Sequence, residues 1–404
     1  MSVRNGYEQL DGLLSDYVSP LGMAANCGPL RAMGDLVRGI ALAGSVQVTD
    51  AARLIASTPD ELSASVKRIS EHLADRHWDH RPWAAAILAM LVGQVEPNDL
   101  LPLDATELAK PYARHMEHQC LVRDASRPGD PLVQGYWCFG AHHGSPDSGT
   151  LTPLMLRPYS QTMPGFLSEN DQWLKYFWTL REATGGKGIW LIDRGGDRPD
   201  ILAGLRMQPR WIVRLMENRP LRGPDGSCRS AGQWAHWALA NCTPRGNAVQ
   251  IPVRLVLPQF AKVVQDMPLN LLVATYGFFR NGKPDRWVLL TRGLIPAHVG
   301  PRQIRHAYGL RWRAEDAKRF IGQIWHAERF MTRSFLALER MLWCVCLAAG
   351  FVAELQRTEP TLAENLEREV LYWNKPYKLA CYRVARGMQA NTGAFGPSML
   401  LKNA

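Results

Sequence analysis

Apolar residues recur at helical spacing through the first quarter of the chain, and beyond it give way to short continuous or alternating apolar runs. Residues 1 to about 98 are predicted helical. Val46-Gln-Val-Thr-Asp50 has the composition of a helix start, continued at helical spacing through 51–56. A second start, Ser57-Thr-Pro-Asp60, puts Pro59 and Asp60 in a first turn, with Leu62, Val66, Ile69 and Leu73 on one stripe behind them. Two short helices around a tight turn, with Arg53, Lys67 and Arg68 close by, have the outline of a helix-turn-helix. An ordinary helical bundle has the same outline. Residues 83–92 form a further, strongly apolar helix.

From residue 99 the pattern predicts strands. Segments 100–104, 119–123 and 135–140 form a three-strand meander, with Arg127-Pro-Gly-Asp130 supplying turn chemistry between the last two. A helix over 168–184 presents Trp173, Phe177 and Leu180 as a core face. The run Gly188-Ile-Trp-Leu-Ile-Asp193 is apolar throughout, as a strand buried on both faces should be. A helix over 200–207 and a strand over 210–216 follow. Three strands, helix, strand, helix, strand is the order of a ribonuclease-H-like α/β core, in which the first and fourth strands are neighbours. Strand-like stretches at 249–257, 269–279 and 286–291, with Asn281-Gly282 as a hairpin turn, mark a β-rich insertion. The predicted organisation is a helical N-terminal domain (1–98), the first part of the core (99–216), the insertion (217–300), a helix completing the core (301–330) and a helical C-terminal region (331–404).

Composition narrows the partner. The 404 residues are 46% hydrophobic, with a formal charge of +10 and a pI of about 9.3, so the chain is globular and suits a polyanion; a membrane surface would attract it too. The eight cysteines are scattered without any CxxC pair and read as reduced thiols, which argues against a structural zinc. The first residues lack the apolar segment of a signal peptide, and the longest apolar run, 341–353, is shorter than the ~18 residues of a membrane span. A soluble intracellular protein is expected.

Cutting or joining a phosphodiester calls for a stronger oxygen nucleophile and for neutralisation of the leaving oxygen. Two divalent cations held by clustered carboxylates supply both. Asp193 ends the best buried strand and precedes Arg194-Gly-Gly. Asp104 ends the first strand, so adjacency of the two strands brings both acids to one edge of the sheet. Asp124 also ends a strand, but Ser126 and Pro128 make it a turn residue. In 302–320, helical spacing places Tyr308, Arg311, Glu315 and Arg319 along one face. An exposed, salt-bridged helix is the plainer reading of the same stripe. His115, His118, His142 and His143 lack metal-ligand spacing. Gly185-Gly-Lys-Gly188 precedes a strand rather than a helix, so it is not a nucleotide-binding loop.

The segment around Glu315 resembles the tyrosine–arginine–glutamate–lysine signature of a large family of insertion-sequence DDE transposases. Tyr308, Arg311 and Glu315 fit its spacing; the lysine position falls on Gly322, with Lys318 and Arg319 one turn earlier. Trp287-Val-Leu-Leu-Thr291 resembles the strand that closes the family's β insertion, 21 positions before the tyrosine. Its tryptophan either stacks on a base flipped out at the transposon end or fills core. Asp193-Arg-Gly with Trp211-Ile-Val-Arg214 resembles the second-aspartate block, and the segment from Leu103-Asp104 to Gly135-Tyr-Trp137 the first. The resemblance covers roughly residues 99 to 345. It implies that Asp104, Asp193 and Glu315 hold two Mg²⁺ or Mn²⁺ ions, and that Tyr308, Arg311, Lys318, Arg319, Arg214 and Trp287 contact DNA. It also implies double-stranded transposon ends and target DNA as partners, a homodimeric synaptic complex, cut-and-paste chemistry, no membrane partner and a cytoplasmic, nucleoid-associated location. Two alternatives stay open. Gly322 suits a non-catalytic regulator descended from a transposase, and the acids alone also suit a nuclease that hydrolyses without joining.

Overall fold

Five amphipathic helices open the chain and turn their apolar stripes onto a shared core: α1 (Val3–Val18), α2 (Gly28–Arg38), α3 (Val48–Ile55), α4 (Pro59–Ala74) and α5 (Arg81–Val92). The computed structural model describes residues 3–23, 28–124, 127–146, 151–243, 248–260, 262–278, 284–294, 300–369 and 380–391. The start of α4 forms as its sequence predicts. Thr58 accepts from the Glu61 amide, Pro59 occupies the first turn, and Ile69 and Leu73 are buried. Arg68 is drawn inward to the buried Asp35 at 2.8 Å, and Arg53 pairs with Asp50. Residues 1–98 hold eight Lys and Arg against eleven Asp and Glu. The positive excess of the chain therefore lies beyond residue 98.

A mixed sheet follows: β1 (Leu100–Ala109), β2 (Cys120–Arg123), β3 (Leu132–His143), β4 (Thr152–Tyr159), α6 (Glu169–Thr184), β5 (Ile189–Ile192), α7 (Pro199–Gly204) and β6 (Trp211–Arg214). It continues through β7 (Pro220–Arg222), β8 (Cys228–Ser230), α8 (Ala231–Asn241), β9 (Ala248–Leu255), α9 (Lys262–Gln265), β10 (Leu269–Phe278) and β11 (Pro284–Arg292). Among the described residues the strands lie in the order β2-β3-β1-β5-β6-β11-β10-β9-β7-β8, with β4 also paired to β3. Strands β1, β5 and β6 are parallel neighbours; β1–β3, β3–β4 and β6–β11 are antiparallel.

The meander differs from the expected one. Its centre is β3, flanked on one side by β1 and on the other by the short β2 and then β4. The sequence pattern passes over β4 because Pro153 and Pro158 argue against a central strand. It is tolerated as the outer neighbour of β3, where one edge needs no ladder donors. The strands of 217–292 do not fold apart from the sheet but extend it, because β11 lies against β6 with Leu290 opposite Val213. Within them α8 also escapes the strand reading, although Ser230 and Gln233 close a complete capping box at its start. The Asn281-Gly282 turn lies outside the described residues. Gly185-Gly-Lys-Gly188 is the turn between α6 and β5. Gly188 there has φ +80°, and a Cβ on it would meet Leu101 Cδ1 at 2.6 Å, so only glycine fits the entry to β5.

The chain ends in α10 (Pro301–Gly309), α11 (Arg313–Ile324), α12 (Phe335–Thr358), α13 (Pro360–Glu369) and α14 (Ala380–Asn391). At 24 residues α12 exceeds the apolar run counted in the sequence and is long and apolar enough to cross a membrane, but 89% of its most apolar window is buried inside the protein. It is a core helix, packed between β4 and the N-terminal helices. Within it the guanidinium of Arg340 is fully buried, donates to the carbonyls of His72 (3.0 Å), Leu73 (2.8 Å) and Trp78 (2.6 Å), and stacks over the Trp78 ring. It thereby caps the last turn of α4, whose carbonyls lack helical partners. Arg340→Ala should lower the unfolding free energy by about 3 kcal/mol, because a charged donor is lost and buried acceptors are left unpaired. Denaturant unfolding measures this; a shift below about 1 kcal/mol would mean that water replaces the guanidinium.

Candidate active site

The site starts from strand register. β1 and β5 are parallel with Leu103 opposite Ile192, so the next pair along is Asp104 and Asp193. All four residues of β5 are buried, and Asp193 emerges where the strand ends. Its Oδ1 accepts from the Gly195 amide at 2.7 Å and caps the short 3₁₀ turn Arg194–Gly196. Burial pushes the Asp193 carboxyl above its ordinary value, and the negative charge of Asp104 pushes it further; Arg311, the Gly195 amide and Lys318 pull the other way. The two aspartates thus sense each other and two cations.

Those cations arrive from far along the chain. Lys318 Nζ donates to Asp104 Oδ2 at 2.7 Å, across 214 positions of sequence, and lies 3.8 Å from Glu315 Oε1. Arg311 Nη1 stands 3.6 Å from the same Asp104 oxygen. Four of the expected site residues, Asp104, Arg311, Glu315 and Lys318, form one charged cluster, and Asp193 adjoins it electrostatically.

The segment that carries them is not one continuous helix. α10 stops at Gly309, a 3₁₀ turn spans Leu310–Trp312, and α11 begins at Arg313. Glycine weakens the helix where the break falls. As a result Tyr308, Arg311 and Glu315 do not share an uninterrupted face. Tyr308 turns into the core against Trp287, ring centroids 5.1 Å apart and nearly perpendicular, and both rings are buried. In this arrangement Trp287 fills core rather than offering a stacking face. Arg214, half-buried, lies over the Trp287 ring at 5.9 Å. Glu315 and Lys318 share the first turns of α11, three residues apart. The Arg319 side chain lies outside the described residues. Gly322 faces open space, since a Cβ there would meet nothing within 4 Å.

Two donors near the acids are buried without a hydrogen-bond partner. Arg311 is 6% exposed, and its Nε and Nη1 make no hydrogen bond; the Tyr308 hydroxyl makes none either. Burial pushes the Tyr308 phenol up to about 12, so it stays protonated and a donor. Sequence reasoning did not place His142 here. This residue of β3 is completely buried, and burial and the charge of Lys318 depress it to about 4, so it is neutral beneath the cluster. Its only sequence signal was a histidine in a strand beside β1. The rival Asp124 is tied to Arg127 at 3.0 Å, and its amide donates to Pro131 in the turn after β2. It belongs to that turn.

Among the described residues no three acid, histidine or cysteine side chains stand close enough to form a ready cation cage. The donor set nevertheless fits a hard divalent ion. It consists of carboxylate oxygens, and a cation, the Lys318 ammonium, already bridges two of the three acids.

The raised Asp193 value has a consequence for stability. The folded protein holds this proton to higher pH than the unfolded chain does, so the contribution is present below the ordinary 3.8 and is lost as pH rises through the raised value. In EDTA, Asp193→Asn should therefore raise Tm at neutral pH and flatten its fall with pH above the ordinary aspartate range. Parallel Tm–pH curves for the two proteins would contradict this electrostatic description.

No protein-family model matches the chain, and no curated protein does. Among solved structures the chain is similar to one described as the cryo-EM structure of a piggyBac transposase synaptic complex with hairpin DNA. The identity is 10%, the match covers 100% of this chain and 82% of that one, and the TM-score is 0.46. At that score the likeness assigns this chain no function.

Proposed function

We propose that the protein is a DNA transposase of the DDE type, built on a ribonuclease-H-like core. The single observation that carries the reading is the convergence of Asp104 and Asp193, at matched positions on neighbouring parallel strands, with Arg311, Glu315 and Lys318 from a segment more than a hundred residues later. Support for the core comes from the order β4-β3-β1-β5-β6, antiparallel on one side of β1 and parallel on the other. A purely structural ion-pair network has no need of two aspartates side by side on neighbouring strands.

In this reading Asp104, Asp193 and Glu315 hold two divalent cations, Mg²⁺ or Mn²⁺. When bound, the ions supply a stronger oxygen nucleophile and neutralise charge on the leaving oxygen. The remaining work falls to the chain. Arg311, buried beside Asp104 with Nε and Nη1 outside any hydrogen bond, meets oxygens of the scissile phosphate, where a guanidinium held in place stabilises developing charge. Tyr308 and Trp287, packed on each other, fix the turn that aims it. Water oxygen bonds to phosphorus at the element end as the bond from phosphorus to the 3′-oxygen breaks and that oxygen takes up a proton; the freed 3′-hydroxyl then attacks a phosphodiester of target DNA and displaces the target strand's own 3′-oxygen. Residues 301–326 hold six Lys and Arg against two Asp and Glu, so DNA lies along this segment and binding weakens steeply with salt. A homodimer in the cytoplasm, pairing two ends on the chromosome, completes the proposal.

A second reading rests on Gly322. A Cβ there would meet nothing within 4 Å, so packing at the Cβ does not force the glycine, and an end-binding regulator without cleavage is the alternative.

The test is cleavage of DNA carrying the element's own ends, in Mg²⁺ or Mn²⁺ against EDTA. Asp104→Ala, Asp193→Ala and Glu315→Ala should each reduce metal-dependent cutting by about a thousandfold or more, with end affinity changed only severalfold. Undiminished cutting in any of the three removes that residue from the site. End binding by the wild type without cutting favours the regulator.

A further inference from the structure

We propose that Lys318 is a built-in counter-cation: it occupies the acid cluster in place of a divalent metal and is displaced when metal enters. The inference rests on the cation-site reading above.

The geometry supplies the competition. Lys318 Nζ sits 2.7 Å from Asp104 Oδ2 and 3.8 Å from Glu315 Oε1, so it lies between two of the acids assigned to the metal. Arg311 Nη1 approaches the same Oδ2 at 3.6 Å. The Lys318 and Asp104 side chains are 17% and 13% exposed, so the pair is largely withdrawn from water and weakly screened. Arg311 and Lys318 together offset two of the three carboxylate charges. A divalent ion at Asp104 would meet two positive groups on the oxygen it needs. Of the two, the Arg311 side chain is 8% exposed and the Lys318 side chain 17%. A lysine ammonium on a four-carbon stem moves at small cost, whereas a buried guanidinium does not. Lys318 is therefore the group that yields.

The experiment uses EDTA-treated full-length protein and Mn²⁺ as the probe, with free Mn²⁺ followed by electron paramagnetic resonance and unfolding by thermal scan. Lys318→Met should bind Mn²⁺ on the order of tenfold more tightly than wild type. It should also melt lower without metal and gain more in Tm on Mn²⁺ addition. Lys318→Gln, which keeps a hydrogen-bond donor for Asp104, should tighten binding too and covers a failure of the Met variant to fold. A merely structural lysine would predict weaker binding in both. Asp104→Asn separates the two claims. If wild type binds Mn²⁺ and Asp104→Asn does not, yet neither Lys318 variant binds more tightly, the site stands and the counter-cation role is overturned. If no protein binds Mn²⁺ in a way that Asp104→Asn abolishes, the cation-site reading falls, and this inference with it.

Discussion

Two aspartates at equivalent positions on adjacent parallel strands repel each other, and the most consequential contacts in this protein answer that repulsion. The sheet cannot relieve it, because β1 and β5 are locked by their ladder and by burial on both faces. Relief comes from outside: Arg311 and Lys318 bring positive charge onto Asp104 and so fasten the α10–α11 segment to the edge of the sheet. The third acid, Glu315, is carried in by the same segment. An arrangement that merely stabilised a fold would avoid like charges at this position. Here they are retained and balanced by the ammonium of Lys318 and the guanidinium of Arg311.

Precision in such a site depends on how firmly its platform is held. The platform is the meander of β1, β3 and β4, backed by α12, which is buried along most of its length. Arg340 ties α12 to the end of α4, so the N-terminal helices brace the sheet from behind. On the other flank β11 extends the sheet from β6 and carries Trp287, which packs on Tyr308 next to the turn bearing Arg311. Each side of the site thus leans on a different part of the chain.

Asp193 was readable in the sequence because a continuous apolar run has one plausible place, a strand buried on both faces, and its next residue must then face the end of the sheet. Asp104 was expected to end the first strand, but β1 runs on to Ala109 and Asp104 pairs with Gly140 inside it; it meets Asp193 because β5, not β1, stops there. Glu315 and its neighbours were readable from spacing, since helical intervals were close to those observed. The missed features have physical causes. Pro153 and Pro158 disguise β4, and the break at Gly309 turns Tyr308 into the core, which a regular helix would not do. The contact of Lys318 with Asp104 spans 214 positions. The sequence offered Lys318 only as a DNA contact implied by the resemblance, so its place as a cation among acids became visible only in three dimensions.

The central claim, that Asp104, Asp193 and Glu315 share one divalent-cation site, is tested most directly by metal-directed cleavage of the protein itself. Fe²⁺ takes the place of Mg²⁺, ascorbate and peroxide generate hydroxyl radicals at the bound ion, and the cut positions are mapped. Cuts clustered around residues 104, 193 and 315, competed away by excess Mg²⁺, are the predicted result. Cuts elsewhere, or none that Mg²⁺ suppresses, would contradict the account.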